Sequence, residues 1–488
     1  MGLVFVPVYI HYLGIESYGL IGLFALLQAW LTLLDMGMTP TLSREMARFT
    51  GGSCDGQSIR DLLRSVEYFA FGIALLIAVG IFAAANWLAT DWLRAEKLPT
   101  ATVAQAFSIM GLVTALRFIE SIYRSCMVGL QRQVLLNVVN CVFSTIRGIG
   151  AIGILAWVSP TITAFFIWQG VLSLLTMATF AVVTYYALPR TDLPGRFSLD
   201  AVRSVWAFAS GMMGISFLAM LLTQSDKLIL SKMLVLSEYG YYSLAAMVAA
   251  ALYNVVGPIT QAWFPRLSQL HAAGDDQTLA RTYHQGAQLV SVIAGSATIV
   301  IIFYSDTLLE FWTRDPMIAD KSARLVSLLV LGNFMNILMW IPFQVQLAYG
   351  WTTLAIRINL VAVAIIVPAI FWVTPRYGAE GAAWVWVALN AGYLTAGIHL
   401  MFRRILSKEK WRWYVFDVAL PLSAGTLATV LARVALPHPT TFFQQFLTLA
   451  TASILTLASS LLASGNVRTG VFSLLAKFWS RVHFVSAS

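Results

Sequence analysis

The sequence predicts an all-α polytopic membrane protein, and three observations support this fold class. Apolar runs of roughly 20 residues recur along almost the whole chain, and a helix of that length crosses the hydrocarbon core of a bilayer. Only 11% of the 488 residues are charged and 59% are hydrophobic, whereas soluble domains carry about 25% charged residues. The third observation is an internal repeat, a plan from which many polytopic membrane proteins are built.

The repeat joins a stretch near the N-terminus to one near the middle of the chain. Aligning Tyr18 with Tyr239 sets an offset of 221 positions (239 − 18). Gly129 and Gly350, in short turns between later apolar runs, are separated by the same offset. We therefore predict a duplicated unit of roughly 220 residues. The other identical pairs at this offset are Leu13/Leu234, Gly19/Gly240, Leu23/Leu244, Ala25/Ala246, Ala29/Ala250, Leu31/Leu252 and Thr39/Thr260.

The apolar runs predict about fourteen spans in two pseudo-symmetric six-helix bundles plus two C-terminal helices. The predicted domains are an N-terminal bundle at 1–187, a cytoplasmic linker at 188–203, a second bundle at 204–402, and the two extra helices with a cytoplasmic tail at 403–488. The predicted spans are 1–13, 17–38, 64–88, 102–127, 132–157, 161–187, 205–235, 239–262, 282–309, 323–348, 353–374, 380–402, 414–436 and 442–465, with a short interfacial helix at 40–50.

The first predicted span is shorter than the others. Thirteen helical residues rise only about 20 Å, less than the roughly 30 Å of a hydrocarbon core. The stretch has neither the basic start nor the small-residue cleavage site of a signal peptide. Because the matching span of the second half begins near Ser204, we expect helix 1 to be N-terminally truncated.

Basic residues predict the orientation of the spans. With the loop after the second span in the cytoplasm, most of the 31 Lys and Arg residues fall in cytoplasmic segments, which is the positive-inside distribution. The net charge of +9 therefore reflects short loops and does not indicate nucleic-acid binding. The pattern predicts a multi-pass protein with both termini in the cytoplasm.

Enzyme chemistry finds no support in the sequence, and we predict that the protein is not an enzyme. Its three cysteines, Cys54, Cys126 and Cys141, have no CxxC spacing, and no metal-ligand cluster or nucleophile motif is present. A GxGxxG motif ends at Gly153 but lies inside an apolar run with no strand before it, so close packing of membrane helices explains it better than a dinucleotide site. We predict no cofactor and no metal, and the coupling ion, H⁺ or Na⁺, is not identified.

Charged residues within the spans are the candidate site residues, because a charge at bilayer depth costs about 3 kcal/mol and usually faces a polar interior. Arg117 and Arg147 lie deep in their spans and Lys227 lies near the outer end of the seventh, and the three predict a cationic, substrate-binding cavity between the two halves, with snorkelling or pairing as the structural alternative. Arginine suits such a cavity because its planar fork binds phosphate oxygens bidentately. Secondary candidates, which also fit snorkelling or paired charges that pin helices together, are Asp35, Glu120, Arg124, Asp226 and Arg357. Glu120 is placed to pair with Arg117 one turn away.

The chain resembles the polysaccharide-flippase (Wzx-like) branch of the MOP exporter superfamily, which is related to MATE transporters and lipid II flippases. The residues that carry the resemblance are LGIESYGLIGL with the later LDMG, within 13–37, SDKLILSKMLVLSEYGYYSLA at 225–245, and GLQR at 129–132. The likeness covers most of the chain except the front of helix 1. It implies two six-helix bundles that open alternately to each side of the membrane.

The resemblance also implies a function. Members of this family flip undecaprenyl-pyrophosphate-linked oligosaccharides from the inner to the outer leaflet of the bacterial cytoplasmic membrane for surface polysaccharide (O-antigen, exopolysaccharide) biosynthesis. Arg117, Arg147 and Lys227 would then attract the pyrophosphate. The expected partners are this lipid-linked oligosaccharide, membrane lipids, and the polysaccharide polymerase and chain-length machinery, with the transporter acting as a monomer.

Three alternatives are weighed against this interpretation. A cation-coupled drug or metabolite antiporter of the same superfamily would favour acidic cavity residues, for which Asp35 and Glu120 are the candidates. A lipid II flippase differs only in its cargo. A membrane-embedded glycosyltransferase would need a sizeable loop with paired carboxylates, and the sequence contains no such loop.

Overall fold

The computed structural model describes residues 2–35, 38–51, 55–188, 195–198 and 217–469. These residues are almost entirely helical, and the all-α membrane fold class is confirmed. Eleven helices are long and apolar enough to cross a membrane among the described residues. A twelfth, α7, is described only from 217 to 233. The α12 helix covers two of the predicted spans, and α1 covers the shortened first span and the second, so the helix count is consistent with the predicted fourteen.

The helices are numbered in chain order. They are α1 (Gly2–Leu34), α2 (Met38–Thr50), α3 (Gly56–Trp92), α4 (Thr100–Gly129), α5 (Gln133–Val158), α6 (Ile162–Ala187), α7 (217–233), α8 (Leu236–Ala272), α9 (Asp276–Phe303), α10 (Ser305–Thr313), α11 (Pro316–Ala348), α12 (Thr353–Phe402), α13 (Lys410–Ala435) and α14 (Phe442–Ala463). Several of these helices contain a wider turn or a short break that does not interrupt the span.

Two glycines break the long helices where the sequence predicts a boundary between spans. Gly14 has a φ of 77° inside α1, and Gly378 has a φ of 56° inside α12. Residues with a Cβ rarely adopt this left-handed conformation, so a glycine allows the chain to turn without steric cost. The predicted divisions between 1–13 and 17–38, and between 353–374 and 380–402, are confirmed at these positions.

Other predicted boundaries need correction. The span predicted at 282–309 ends at Phe303, and a separate helix, α10, follows it. The span predicted at 239–262 continues through Pro265 to Ala272, because its polar end remains helical after the apolar run stops. The short helix predicted at 40–50 is confirmed as α2, whose buried residues include Leu42 and Met46, while its interfacial position stays a prediction. Residues 205–216 of the predicted seventh span lie outside the described residues.

The chain forms two compact units, residues 1–243 and 244–488. In unit 1 the core lies between α3, α4 and α6, where Leu63, Phe118 and Phe180 are at most 1% exposed. The described part of the predicted linker contacts α3 through its backbone, with the Arg196 N–H donating to Asp61 at 2.7 Å. The predicted domain boundaries at 187 and 204 stay a prediction.

The internal repeat is confirmed at one helix crossing within unit 1. A Cβ on Gly19 would lie 2.7 Å from the Leu236 carbonyl oxygen, and a Cβ on Gly240 would lie 2.3 Å from the Ile15 carbonyl oxygen. Ile15 and Leu236 are separated by the same 221 positions as Gly19 and Gly240. Equivalent residues therefore exchange equivalent contacts, as expected at a two-fold axis. Glycine is required at both positions because the two backbones approach so closely.

The second pair of turns proposed for the repeat does not match in detail. Gly350 has a φ of 65° and follows the end of α11, but the residue with positive φ after α4 is Gln131, at 57°. Gly129 is helical instead, and a Cβ there would lie 2.3 Å from the Ser43 carbonyl oxygen. The turns are thus offset by 219 positions (350 − 131), so two residues of length difference have accumulated between the crossing and this turn.

Candidate functional site

Arg117 extends from α4 toward α1 and α6 and is held by neutral partners. Its guanidinium donates to Gln28 Oε1 at 3.4 Å, to Gln169 Oε1 at 3.2 Å and to Ser173 Oγ at 3.4 Å. The same group lies 4.9 Å from the centre of the Phe24 ring. Amide, hydroxyl and aromatic partners orient the charge without neutralising it.

A neighbouring residue on α4 orients the Gln28 side chain toward Arg117. Thr114 lies one turn before Arg117 and accepts a hydrogen bond from Gln28 Nε2 at 2.9 Å. Because the amide nitrogen is engaged by Thr114, the amide oxygen faces the guanidinium. On α6, Gln169 and Ser173 are four residues apart and therefore share one face; both are buried.

Arg147 on α5 belongs to the same cluster. It donates to Thr176 Oγ1 on α6 at 3.5 Å and lines a cavity of about 550 Å³. Gln169 lines this cavity and also accepts a hydrogen bond from Arg117, so Arg117 lies next to the cavity that Arg147 lines. The other lining residues are Phe5, Tyr9, Asn140, Cys141, Ser144 and Gly148.

The cluster carries more positive charge than the nearby carboxylate of Glu120 balances, because Arg117, Arg124 and Arg147 all interact with that single carboxylate. Within the described ranges neither Arg117 nor Arg147 forms an ion pair with a carboxylate. The Arg147 Nε is buried and has no hydrogen-bond partner. Charged groups in an apolar surrounding are costly without a counter-charge. The arrangement is therefore suited to an anion, which arginine binds through paired hydrogen bonds.

Lys227, the third predicted cavity residue, lies on α7 in unit 1. Its ammonium donates within its own helix, to the Thr223 carbonyl oxygen at 3.3 Å and to Gln224 Oε1 at 3.0 Å. It is not among the residues lining the Arg147 cavity. The structure therefore brings Arg117 and Arg147 together and leaves a role for Lys227 as a prediction.

Asp35 caps the short helix α2. Its carboxylate accepts hydrogen bonds from the Thr39 N–H, at 3.1 and 3.2 Å, and from the Thr39 hydroxyl. Burial raises the pKa of Asp35, and the hydrogen bonds from Thr39 lower it. These are the contacts of an N-terminal helix cap, so the carboxylate is already engaged.

The predicted pairing of Glu120 with Arg117 is wrong. Glu120 Oε1 lies 3.5 Å from Arg124 Nη1, one turn further along α4. The Arg124 side chain is 48% exposed and can therefore reach the carboxylate from the surface, whereas the amides hold Arg117 on the other side.

The remaining secondary candidates have other surroundings. Asp226 Oδ2 accepts from the Tyr242 hydroxyl at 2.6 Å, and within unit 1 the described interactions of Asp226 do not include Arg117 or Arg147. Arg357 on α12 of unit 2 is exposed and lines an apolar cavity of about 760 Å³.

The glycine motif on α5 packs against aromatic rings, as the sequence predicts. A Cβ on Gly148 would lie 2.1 Å from the Phe5 ring, and one on Gly150 would lie 2.1 Å from the Trp168 ring. Helix packing therefore explains these glycines, and no phosphate-binding loop is needed. In the part of the chain that the structure describes, no group of three or more His, Cys, Asp or Glu side chains is arranged to hold a metal ion.

Sequence reasoning missed the neutral members of the cluster. Gln28, Gln169, Ser173 and Thr176 all lie within apolar spans, where an amide or hydroxyl finds no water partner. Two glutamines at membrane depth are themselves a signal, because each buries an amide that needs partners.

The family of this chain is identified by its match to a family model. The family model described as "Polysaccharide biosynthesis protein" matches residues 1–271, more than half of the chain. The chain belongs to the polysaccharide biosynthesis protein family. The MatE family model also matches, over residues 212–372.

One curated relative and two solved structures are also similar to this chain. The relative, "Putative O-antigen transporter" from Shigella flexneri, is 23% identical over 381 residues, which cover 77% of this chain and 87% of the relative. A structure titled "Lipid II flippase MurJ, inward closed conformation" matches with a TM-score of 0.66 at 12% identity, covering 92% of this chain and 96% of that one. An inward-facing multidrug resistance MATE family transporter matches with a TM-score of 0.62 at 14% identity, covering 84% and 94%.

These findings agree with the recognition of the family from sequence. This member of the polysaccharide biosynthesis protein family is a multi-pass membrane protein, with eleven described helices that are long and apolar enough to cross a membrane. Its relatives are transporters and flippases rather than enzymes. The two structural matches, at such low identity, establish the fold alone.

Proposed function

We propose that this protein flips undecaprenyl-pyrophosphate-linked oligosaccharide from the inner to the outer leaflet of the bacterial cytoplasmic membrane, by alternating access. Its membership of a polysaccharide biosynthesis family and its likeness to an O-antigen transporter support this substrate class. In this proposal both termini are cytoplasmic. The lipid tail remains in the bilayer while the sugar head crosses between the bundles.

The observation that carries the proposal is the uncompensated charge of Arg117 and Arg147. Two guanidinium groups near a cavity of about 550 Å³ have only neutral hydrogen-bond partners, and the nearby carboxylate of Glu120 balances only part of their charge. A pyrophosphate supplies the missing negative charge and enough oxygens to accept hydrogen bonds from both arginines. Lys227 would add a third positive charge as the substrate passes.

An antiporter for cationic drugs is the second candidate, and the structure offers less for it. Such a carrier needs free carboxylates, but Asp35 caps α2 and Glu120 pairs with Arg124. The match to the MatE model concerns residues 212–372, whereas the arginine cluster lies in α4 and α5.

The test is a leaflet-specific assay of lipid-linked glycan in a strain lacking this gene. We expect intact undecaprenyl-linked repeat units to accumulate on the cytoplasmic side, with loss of surface polysaccharide. Arg117→Ala and Arg147→Ala should fail to restore export while remaining at normal levels in the membrane. Arg433→Ala, which removes an exposed arginine at the end of α13, is the matched control and should restore export.

Other outcomes would redirect the proposal. Normal surface glycan with altered tolerance to cationic dyes would favour the drug antiporter. Arrest of peptidoglycan precursors instead of surface glycan would favour a lipid II flippase. Full activity of both arginine variants would contradict the role assigned to the cluster while leaving the flippase assignment intact.

A further inference from the structure

A second group of charges is buried in unit 2, between α9 and α13. The His284 imidazole on α9 is 0% exposed, as is the Asp417 side chain on α13. His284 Nδ1 contacts Asp417 Oδ2, and His284 Nε2 lies 2.9 Å from Glu409 Oε2, immediately before α13. The imidazole is therefore held between two carboxylates on opposite edges of its ring.

This arrangement determines where hydrogen atoms must be. An ionised carboxylate oxygen only accepts hydrogen bonds, and a neutral imidazole has a single N–H. For both contacts to be hydrogen bonds, either both ring nitrogens carry hydrogen or one carboxyl group is protonated. In either case the group holds one proton more than a neutral imidazole beside two carboxylates.

Among the side chains in direct contact with the group, the charges balance only when that proton is present; Asp276, Arg281, Arg404 and Lys408 line the adjoining cavity. Arg412 lies 3.6 Å from Glu409, and Asp417 Oδ1 accepts from Gln288 Nε2 at 2.9 Å. One imidazolium and one guanidinium then face two carboxylates. Without the proton, a net negative charge would remain in a buried site, which is costly. The other titratable side chains near the group are Tyr283 on α9 and Tyr414 on α13, and α12 contributes the apolar Phe402.

Glu409 connects the buried imidazole to a cavity. It lines a space of about 890 Å³ together with Arg281, Arg404, Lys408 and Arg412, and its side chain is 25% exposed. Because Glu409 also contacts His284, it is the group through which a proton from the cavity would reach the imidazole. The carboxylates lie at opposite ring nitrogens and do not converge on one point, as they would for a shared metal ion.

The group also connects α9 to both C-terminal helices. Asp417 lies on α13, and Glu409 is the residue immediately before it. On the α14 side, Gln288 of α9 accepts a hydrogen bond at 3.1 Å from the backbone N–H of Asn466, just after α14. The α13 and α14 helices are bonded to one another, with Ser460 Oγ donating to the Pro421 carbonyl oxygen at 2.9 Å. A change at His284 would therefore affect how α13 and α14 pack against the rest of unit 2.

We propose that Glu409, His284 and Asp417 form a proton-binding site, and that the bound proton stabilises the packing of α13 against α9. The ligand is the proton itself, which enters from the cavity through Glu409. This site is distinct from the arginine cluster and does not depend on the identity of the transported substrate.

The first test is nitrogen NMR of protein labelled with ¹⁵N-histidine in lipid nanodiscs at neutral pH. The chain has 6 histidines, so the His284 signal is assigned by its loss in His284→Gln. We expect either imidazolium nitrogens or, if the proton is on a carboxyl group, a protonated carboxyl band in the infrared spectrum that disappears in Asp417→Asn or Glu409→Gln. A neutral imidazole together with no such band would overturn the proposal.

The second test measures whether the proton-binding imidazole stabilises the packing of α13 against α9. Hydrogen–deuterium exchange of residues 410–435 should rise at least about tenfold in His284→Gln, a change that corresponds to about 1.4 kcal/mol of local opening. The matched control is His399→Gln, because exposed His399 contacts Lys410 of the same helix at 2.9 Å but is outside the buried group. Equal exchange in wild type and His284→Gln, or equal increases in both variants, would contradict the role of this site.

Discussion

In unit 1 the guanidinium groups of Arg117 and Arg147 face amides and hydroxyls, whereas in unit 2 the imidazole of His284 faces two carboxylates. Both clusters lie among apolar helices, and both contain a side chain that can carry a positive charge. The difference is the charge of the partners. Neutral partners leave the arginines free to attract an anion, while the carboxylates of Glu409 and Asp417 complete the charge balance inside the protein.

This comparison separates two uses of buried charge. A compensated group mainly stabilises a particular arrangement of helices, and removing one partner leaves an unpaired charge. An uncompensated group contributes little to stability because its burial is already costly, but it can bind a ligand of opposite charge. Substitutions at His284 should therefore mainly reduce stability, whereas substitutions at Arg117 and Arg147 should mainly reduce transport.

The largest loss of stability is expected for His284→Ala. Removing the imidazole leaves Asp417 buried without its counter-charge, which costs about 3–5 kcal/mol. Denaturant titration of the purified protein in detergent measures the free energy of unfolding. The double variant His284→Leu/Asp417→Leu should regain most of that loss, because apolar residues of similar size commonly replace a buried ion pair without penalty. A cost below about 1 kcal/mol for the single variant would show that the pair is not compensated as described.

Arg117→Met should instead reduce transport and leave stability nearly unchanged. Losing charge-assisted hydrogen bonds of about 1.5–3 kcal/mol predicts a decrease of about 10- to 100-fold in the rate of lipid-linked oligosaccharide flipping in proteoliposomes. The free energy of unfolding should change by no more than about 1 kcal/mol, because the cost of burying the charge disappears with it. Arg124→Met, which changes a half-exposed arginine of the same helix, is the control. A parallel collapse of stability and transport would remove the distinction between the sites.

Gln169→Glu would convert the arginine cluster of unit 1 into a charge-compensated group like that of His284 in unit 2. The new carboxylate would lie where Gln169 Oε1 now accepts from Arg117 at 3.2 Å, and it would neutralise the positive charge. We expect about a tenfold decrease in flipping, equivalent to about 1.4 kcal/mol. Gln169→Leu keeps the positive charge and should have a smaller effect in the same proteoliposome assay. Equal effects of the two substitutions would indicate that the amide serves packing alone.

The smallest effect on transport is expected for Glu120→Gln, which should improve substrate binding rather than weaken it. The amide can still accept a hydrogen bond from Arg124, so the free energy of unfolding should change by less than about 1 kcal/mol. Loss of the nearby negative charge makes the site more positive, and the KM for the lipid-linked oligosaccharide should fall by about twofold at low salt and less at high salt. An increase in KM would contradict an anionic substrate.

Much of the fold could be predicted from the sequence, because burial in lipid leaves few alternatives. Apolar runs identify the spans, and Gly14 and Gly378 are the positions where α1 and α12 break. The contacts of Gly19 and Gly240 confirm the offset of 221 at the crossing, but the turns at Gln131 and Gly350 differ by two residues. Identical residues at one offset thus show a duplication without fixing every turn.

The candidate site was only partly predictable. Arg117 and Arg147 were found because a charge within an apolar span is conspicuous. Gln28 and Gln169 carry no charge and were not, and the i,i+3 rule placed Glu120 with the wrong arginine. His284 and Asp417 lie close to predicted span ends at 282 and 414, where charged residues usually reach water.

By itself the sequence determined the membrane class, the helical spans, the duplication and the two deep arginines, because each depends on the cost of exposing polar groups to lipid. Only the tertiary structure decided which groups surround those charges. Partners such as Gln169 and Arg117, or His284 and Asp417, are separated by 52 and 133 positions. Their meeting depends on helix packing and side-chain direction, which residue spacing along the chain does not encode.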